Sequence, residues 1–245
     1  MRTRRRRFPG AGWSAEREFN RQLRQNIREE WKVWLLGVLL AVAFGVWSFY
    51  LGRVPGRFMA AMTGFLVGVF TVVYSLGGRV SAFLWWLGAE GERQTASEIE
   101  KLSTDWHCEH DLEHARGNYD HVLVGPPGVF LLDSKRLNNV SATAGDALRS
   151  GRMSYPGASF RGGAMDVKVR LEGRLGFRAP WVQAVVVVWG EFPQQLHEHE
   201  HVVYVRGEDL VEWLRSLPER ANAPQRAAYV AALRELRGEL VRRAS

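Results

Sequence analysis

Two aspartates and a lysine lie at matching ends of two neighbouring β-rich segments, Tyr119–Val124 and Val129–Lys135. Asp120 lies near the start of the first segment, and Asp133 and Lys135 close the second. Side chains two residues apart on a strand share a face, so we expect Asp133 and Lys135 to project together. The Gly-Pro-Pro-Gly turn between the segments predicts a β-hairpin, which would bring Asp120 beside that pair across the ladder.

Clustered carboxylates next to an ammonium group are suited to metal-assisted chemistry on phosphate. Asp120 and Asp133 supply the oxygen ligands that a hard divalent cation such as Mg²⁺ prefers. Such an ion polarises a phosphodiester and lowers the pKa of a bound water, and Lys135 would neutralise charge that grows on the phosphate. Glu92, on the expected inward face of the preceding helix, is placed to join the cluster. The pattern indicates metal-dependent phosphodiester hydrolysis.

The same residues lie within a segment that resembles the NERD (nuclease-related) domain family, which belongs to the restriction-endonuclease-like PD-(D/E)xK superfamily. The resemblance rests on Gly91-Glu92 at the start of a helix and on the continuous run 119–135. It covers about residues 88–205 and implies a Mg²⁺-dependent endonuclease whose partner is nucleic acid. By this resemblance the active-site positions are Glu92, Asp120, Asp133 and Lys135, with Asp120 and Asp133 as the metal ligands.

The sequence departs from the family pattern at two places, and other interpretations remain open. The family more often has Glu at the position of Asp133, and the Asn-Pro-x-x-Gln stretch that often follows is not recognisable around residues 156–170. The charged trio could instead be a buried ion pair at a strand end. Glu92 could be an acidic residue favoured at a helix N-terminus by the macrodipole. The domain would then be a non-catalytic binding or scaffold module that retains the nuclease-like fold.

Histidines and the single cysteine form two further groups. His107, Cys108, His110 and His114 follow one another on an expected half-exposed strand, where Cys108 is interpreted as a small buried residue. In the segment 197–201 three His alternate with Glu, which would place all three on one face of a strand or in a solvated loop. His121 alternates to the opposite face from Asp120, so a structural hydrogen bond is expected there.

The remaining pattern predicts an α/β domain in which a mixed, restriction-endonuclease-like β-sheet is flanked by helices. Four consecutive valines within Val182–Trp189 indicate a central strand buried on both faces. Residues 137–163 are rich in Gly, Ser and Asn and are expected to be irregular. The other expected elements are helices at 91–103, 164–176, 208–216 and 223–243 and strands at 106–113 and His201–Arg206.

Two apolar segments before this domain have the length of membrane-spanning helices. Residues 33–52 and 58–78 carry no charge, and each reaches about 30 Å as a helix, the thickness of the hydrocarbon core. The loop 53–57 allows only a tight reversal, so the two segments predict a transmembrane hairpin. A cleavable signal peptide fits poorly, because the apolar run begins late and a second run follows.

The charge distribution indicates orientation. Residues 1–32 carry nine Arg and one Lys against four Glu, whereas the whole chain carries +7. Because positive flanks stay inside, the N-terminus and the domain after the hairpin are both expected on the cytoplasmic face of the cell membrane. Residues 14–32 have the apolar spacing of an amphipathic helix, so this basic arm is expected to contact anionic lipid headgroups in preference to nucleic acid. A topology signal with no further role is the simpler alternative.

The predicted organisation therefore has five parts. They are a basic cytoplasmic arm (1–32), a first transmembrane helix (33–52), a second (58–78), a NERD nuclease-like domain (88–205) and C-terminal helices (206–245). The single cysteine excludes an intrachain disulfide, which is natural in a reducing compartment.

Overall fold

The computed structural model of the chain describes residues 87–114, 117–137, 140–142, 147–151 and 153–244, together with isolated positions between residues 20 and 66. The chain divides into two compact units, with a boundary between Trp86 and Leu87. The unit that begins at Leu87 contains all the elements discussed below.

A six-stranded mixed sheet forms the centre of this unit, in the order β1-β2-β3-β7-β9-β8. Strands β1, β2 and β3 pair antiparallel, β7 and β9 continue the sheet parallel to β3, and β8 pairs antiparallel with β9. The strands are β1 (His107–His114), β2 (Gly117–Gly125), β3 (Gly128–Arg136), β4 (Val140–Ala142), β5 (Ala147–Ser150), β6 (Met153–Pro156), β7 (Val182–Trp189), β8 (Leu196–His199) and β9 (Val202–Arg206). The helices are α1 (87–99), α2 (Gly157–Leu175), α3 (Leu210–Ser216), which follows a 3₁₀ turn at Gly207–Asp209, and α4 (Ala223–Ala244).

Helices cover both faces of the sheet, and each face has its own apolar core. On one face, Val122 and Leu131 pack with residues of α2 and α4 such as Leu171 and Leu233. On the other, Leu123, Phe130 and Leu132 pack with Ile99 of α1 and with Leu210 and Leu214 of α3. The alternation of β2 and β3 between these two cores explains why both strands are almost wholly buried.

The β2–β3 hairpin and β7 form where the sequence predicted them. The hairpin ladder closes at Gly125 and Gly128, and Val129–Arg136 pair residue by residue with Val182–Trp189. The Pro126 carbonyl in the hairpin turn accepts hydrogen bonds from the amides of Arg220 and Ala221, both 2.9 Å long. This contact ties the turn to the segment that leads into α4.

The prediction of irregular structure over residues 137–163 was wrong. Three short strands, β4, β5 and β6, pair antiparallel into a second sheet, and α2 already begins at Gly157. Strands this short carry little periodicity, so the Gly- and Ser-rich composition dominated the prediction. The first turns of α2 contain Gly157, Gly162 and Gly163, which are weak helix formers. These turns form because Phe160 and Ala164 pack into the core.

Two boundaries and one strand also differ from the prediction. The described helix α1 ends at residue 99, with turns over the residues that follow, instead of at 103. Strand β8 was not predicted as a strand of its own. His201 lies before β9, in a turn where Glu200 and His201 both have positive φ (44° and 66°). The expected face shared by three histidines is therefore limited to His197 and His199, whose rings stack with centroids 6.3 Å apart.

The predicted membrane spans, 33–52 and 58–78, and the basic arm, 1–32, lie largely outside the described residues. The described positions within the two spans are helical. Among the residues that the structure describes, no helix is both long and apolar enough to cross a bilayer.

Candidate active site

The ladder between β2 and β3 opens at Asp120. Paired residues run from Gly125–Gly128 to His121–Leu132, and the pairing stops there. At the next position a side chain takes the place of a main-chain acceptor. Oδ2 of Asp120 accepts a hydrogen bond from the amide of Ser134 (2.7 Å). The opening leaves the Asp120 carboxylate between the two strands, next to Asp133.

Asp133 and Lys135 project from the same side of β3, as their two-residue spacing predicted. The Lys135 ammonium forms an ion pair with Asp133 Oδ1. It also lies 5.8 Å from the ring centroid of Tyr155 and 5.9 Å from that of Phe160, within the range of cation–π attraction. Burial lowers the pKa of Lys135, but the charges of Asp133 and Asp120 outweigh burial and leave the pKa above its ordinary value. The ammonium is therefore charged at neutral pH.

The environment of Asp120 disfavours its negative charge. Burial and the neighbouring Asp133 carboxylate raise the pKa of Asp120 from an ordinary 3.8 to about 7, against the opposing effects of Lys135 and the Ser134 amide. Two carboxylates held this close repel each other, and a bound cation would relieve that repulsion. Their four oxygens are hard donors, so the donor set of Asp120 and Asp133 fits a divalent cation such as Mg²⁺.

Asp120 and Asp133 line a cleft of about 580 Å³ between the sheet and α2. Its other polar walls come from His114 and Asn118 at the β1–β2 end and from Ser159, Asp166 and Arg170 of α2. The bare surfaces of Gly162 and Gly163 also line it. A Cβ at Gly163 would lie 3.0 Å from Leu131, so glycine allows α2 to approach the sheet closely here.

Sequence reasoning did not identify the contribution of α2. Asp166 accepts a hydrogen bond from the Tyr119 hydroxyl (2.5 Å) and pairs with Arg170 one turn later (2.7 Å). Tyr119 in turn stacks on His114, with ring centroids 4.1 Å apart. The Asp-x-x-x-Arg spacing was visible in the sequence, but nothing local shows which face of α2 meets the cleft.

Glu92 lies in α1, which packs on the face of the sheet from which the Ser134 side chain projects. Glu92 is buried (8% exposed) and lies one turn before Thr95. The Thr95 hydroxyl accepts hydrogen bonds from Ser134 Oγ and Trp189 Nε1, both 2.8 Å. This network fixes α1 against β3 at the residue whose amide holds Asp120. A role for Glu92 at a metal ion remains a prediction.

His121 lies on the face opposite the cleft, as its alternation with Asp120 predicted. It is fully buried, and its Nδ1 lies 2.7 Å from Nδ1 of His110 on β1. The pKa of His121 lies well below its ordinary value. Burial is the larger cause and the neighbouring His110 the smaller one, and both outweigh the main-chain carbonyl of Glu92, which raises the pKa. Cys108 lies on the same side, and its Sγ is 3.8 Å from His110 Nδ1. His121 is thus part of a separate cluster.

A helix, three antiparallel strands, a crossover helix and a parallel strand define this unit, with acidic residues and a lysine where β2 and β3 separate. This mixed α/β arrangement fits the restriction-endonuclease-like class. Residues 87–188 match the family model described as NERD, nuclease-related domain. The match runs from α1 through most of β7 and supports the resemblance to nuclease-related domains. Neither the curated proteins nor the solved structures include a match to the chain.

Proposed function

We propose that this chain is a membrane-anchored, Mg²⁺-dependent nuclease that hydrolyses phosphodiester bonds in the cleft between β3 and α2. One observation carries the proposal. Asp120, Asp133 and Lys135 converge where the β2–β3 ladder opens, and both carboxylates line the cleft. The match to nuclease-related domains supports the same class of chemistry.

The chain's own residues have distinct roles in this proposal. Asp120 and Asp133 would hold the cation, which when bound would supply Lewis acidity toward the phosphate and a more acidic water. Asp120 is fixed for this task by the Ser134 amide. Lys135 holds a positive charge beside Asp133 and would stabilise the negative charge that develops on the phosphate oxygens.

The α2 wall offers a second cation for the nucleic-acid backbone. The Arg170 side chain is 26% exposed and is oriented by Asp166, which also receives the Tyr119 hydroxyl. A guanidinium binds phosphate in a bidentate manner, so Arg170 would position the strand and Lys135 would act at the reacting phosphate.

The test is cleavage of labelled single- and double-stranded DNA and RNA by the full-length chain, purified in detergent, with Mg²⁺ or with EDTA. The proposal expects cleavage only with Mg²⁺. Asp133→Asn and Lys135→Met should each reduce the rate by at least about 100-fold, since they remove a metal ligand and a charge at the reacting phosphate.

Matched controls are Asp105→Asn and Lys101→Met, whose side chains are 61% and 59% exposed, respectively, and which do not line the cleft. Both controls should cleave like the wild type. Cleavage that persists in EDTA, or that Asp133→Asn and Lys135→Met leave undiminished, would rule out this mechanism.

A non-catalytic binding or scaffold role is the second candidate, and the charge of the domain favours it. Residues 87–245 contain 20 Lys and Arg against 22 Asp and Glu, whereas nucleic-acid-binding domains usually have a basic surface. Under this alternative no substrate is cleaved with Mg²⁺, Mn²⁺ or Ca²⁺, and any binding survives Asp133→Asn.

Membrane anchoring is the other part of the proposal. Large apolar side chains described within the first predicted span are exposed, including Leu35 (48%), Leu39 (56%) and Val42 (57%). Exposed apolar surface of this extent is stabilised by lipid more than by water. The two apolar segments would place both the N-terminus and the nuclease-like domain on the cytoplasmic face of the cell membrane.

Extraction of cell membranes at alkaline pH tests anchoring, and protease treatment of sealed vesicles tests orientation. The full chain should remain in the pellet after carbonate. The domain should be digested in inside-out vesicles and protected in right-side-out ones. Release by carbonate would contradict anchoring, and the reverse protection pattern would contradict the orientation.

A further inference from the structure

Three side chains that can bind a transition metal converge on the face of the sheet away from the cleft. Cys108 and His110 lie two residues apart on β1, and His121 is the direct cross-strand partner of His110 on β2. One donor atom from each lies within 4.8 Å of the other two. We propose that Cys108, His110 and His121 form a binding site for a borderline-soft divalent ion, which we identify as Zn²⁺.

The distances suit such an ion. A tetrahedral Zn²⁺ with bonds of about 2.0 Å to nitrogen and about 2.3 Å to sulfur places two nitrogens about 3.3 Å apart, and nitrogen and sulfur about 3.5 Å apart. The structure has 2.7 Å between the two Nδ1 atoms and 3.8 Å between Cys108 Sγ and His110 Nδ1. The two Nδ1 atoms would therefore have to move apart by about 0.6 Å, through small rotations of the rings, and a water would supply the fourth ligand of a tetrahedral ion.

The surroundings of His121 orient it for metal binding through Nδ1. Its Nε2 is buried without a regular hydrogen bond, yet the Glu92 carbonyl lies close enough to influence the ring. With its proton on Nε2, His121 would present the Nδ1 lone pair to His110, whose Nδ1 lies 2.7 Å away. Metal-binding histidines commonly donate their second ring nitrogen to a main-chain carbonyl, the kind of group through which Glu92 acts on this ring.

The donor set separates this site from the acidic cleft. One thiolate and two neutral imidazoles prefer Zn²⁺ over Mg²⁺, whereas Asp120 and Asp133 offer oxygen alone. His110 and Cys108 are partly exposed, so an ion has a route to the buried His121. Because the three residues join β1 to β2, a bound ion would crosslink these strands behind Asp120.

Binding has a defined proton balance. The Cys108 thiol loses its proton to solvent as the Zn–S bond forms. The proton shared by the two Nδ1 atoms moves to Nε2 of the ring that carried it, so both imidazoles bind as neutral ligands. One proton is therefore released for each ion bound, and the affinity should rise about tenfold per pH unit while Cys108 remains a thiol in the free protein.

The full-length chain, purified without a polyhistidine tag and stripped with EDTA, is dialysed against Zn²⁺ and assayed for bound zinc. We expect one equivalent in the wild type and in His197→Gln, which removes a half-buried histidine of β8. Cys108→Ser should weaken zinc binding by about tenfold or more. Loss of a residue that only hydrogen-bonds a metal ligand already has an effect of this size, and Cys108 is proposed as a ligand itself. Equal zinc content and affinity in Cys108→Ser and the wild type would overturn the proposal.

Co²⁺ substitution gives a second readout that does not depend on the fold surviving a buried histidine replacement. A thiolate-to-cobalt charge-transfer band should be present in the wild type and absent in Cys108→Ser, whose thermal unfolding without metal should match the wild type. A Co²⁺ complex without this band would show that the sulfur is not a ligand, and the His110–His121 contact would then be only a structural hydrogen bond.

Discussion

Asp120 is held at the open end of the β2–β3 ladder, and its protonation is coupled to folding. Its pKa in the folded protein is about 7, compared with 3.8 for an unperturbed aspartate. The folded state therefore binds a proton at this site more tightly than the unfolded chain does. Protonation of Asp120 therefore adds to the free energy of unfolding. This contribution is fully present below about pH 4 and is lost as the pH rises through about 7.

Asp120→Asn should remove this pH dependence. An asparagine keeps an oxygen for the Ser134 amide and carries no charge, so the variant should gain stability relative to the wild type between about pH 4 and pH 7. Each pKa unit corresponds to about 1.4 kcal/mol, which limits the difference to a few kcal/mol. Thermal unfolding of both proteins in EDTA across this range measures it, and a pH-independent difference would contradict the raised pKa.

Sequence reasoning located the charged residues of β2 and β3, because strand alternation and a turn motif are local signals. It did not anticipate that Asp120 would bond to the Ser134 amide in place of a ladder partner, since this depends on where two strands separate. Asp166 and Arg170 were missed because they line the cleft only through the way α2 packs against the sheet, which the sequence of α2 does not show. The zinc-binding potential of Cys108 was missed because His121 joins it only through strand pairing.

At the scale of elements, the contact between α1 and the sheet depends on the absence of a side chain at Gly207. A Cβ there would lie 2.5 Å from the Trp189 ring, whose Nε1 donates to Thr95 of α1. Gly207→Ala should therefore displace Trp189 and destabilise the domain by about 1–3 kcal/mol. Thermal unfolding or chemical denaturation measures the loss.

Gly173→Ala is the matched control. Gly173 lies in α2, and in the described part of the chain no atom beyond its neighbours and the nearby helix backbone lies within 4 Å of the position of its Cβ. Alanine is the better helix former, so this variant should be stabilised by about 0.5–1 kcal/mol. If both glycine variants changed stability by the same amount, crowding against Trp189 would not be the cause.

The elements that the sequence predicted well are those with a continuous apolar signal. The β2–β3 hairpin and β7 combine valine-rich runs with clear ends, and α4 is long. The small sheet β4–β6 and strand β8 are three or four residues per strand, too short for periodicity to appear. Their pairing is set by neighbours in space, which a sequence window does not contain.

At the scale of the whole molecule, positive charge is concentrated in the arm before the first apolar segment. Residues 1–32 carry ten Lys and Arg against four Glu, whereas the unit from residue 87 onward carries a small excess of acid. In the proposed membrane-anchored form, a charge asymmetry of this kind would attract the arm to an anionic membrane surface, and the cleft itself would gain little long-range attraction for nucleic acid.

Replacement of Arg4, Arg5, Arg6 and Arg7 by alanine tests the lipid contact of the arm. The expected loss is about 1 kcal/mol per arginine in the binding of a peptide of residues 1–32 to vesicles that contain phosphatidylserine. Binding to vesicles of phosphatidylcholine alone should be weak and unchanged. An equal affinity of the two peptides for the anionic vesicles would contradict electrostatic attachment.

The main-chain contact at Pro126 has a consequence for the order of folding. Its carbonyl accepts hydrogen bonds from the amides of Arg220 and Ala221, which lie far from it along the chain. Both bonds therefore require the segment before α4 to have reached the hairpin turn, and a state in which this segment is undocked leaves the carbonyl to water. Hydrogen exchange at these two amides would report that docking.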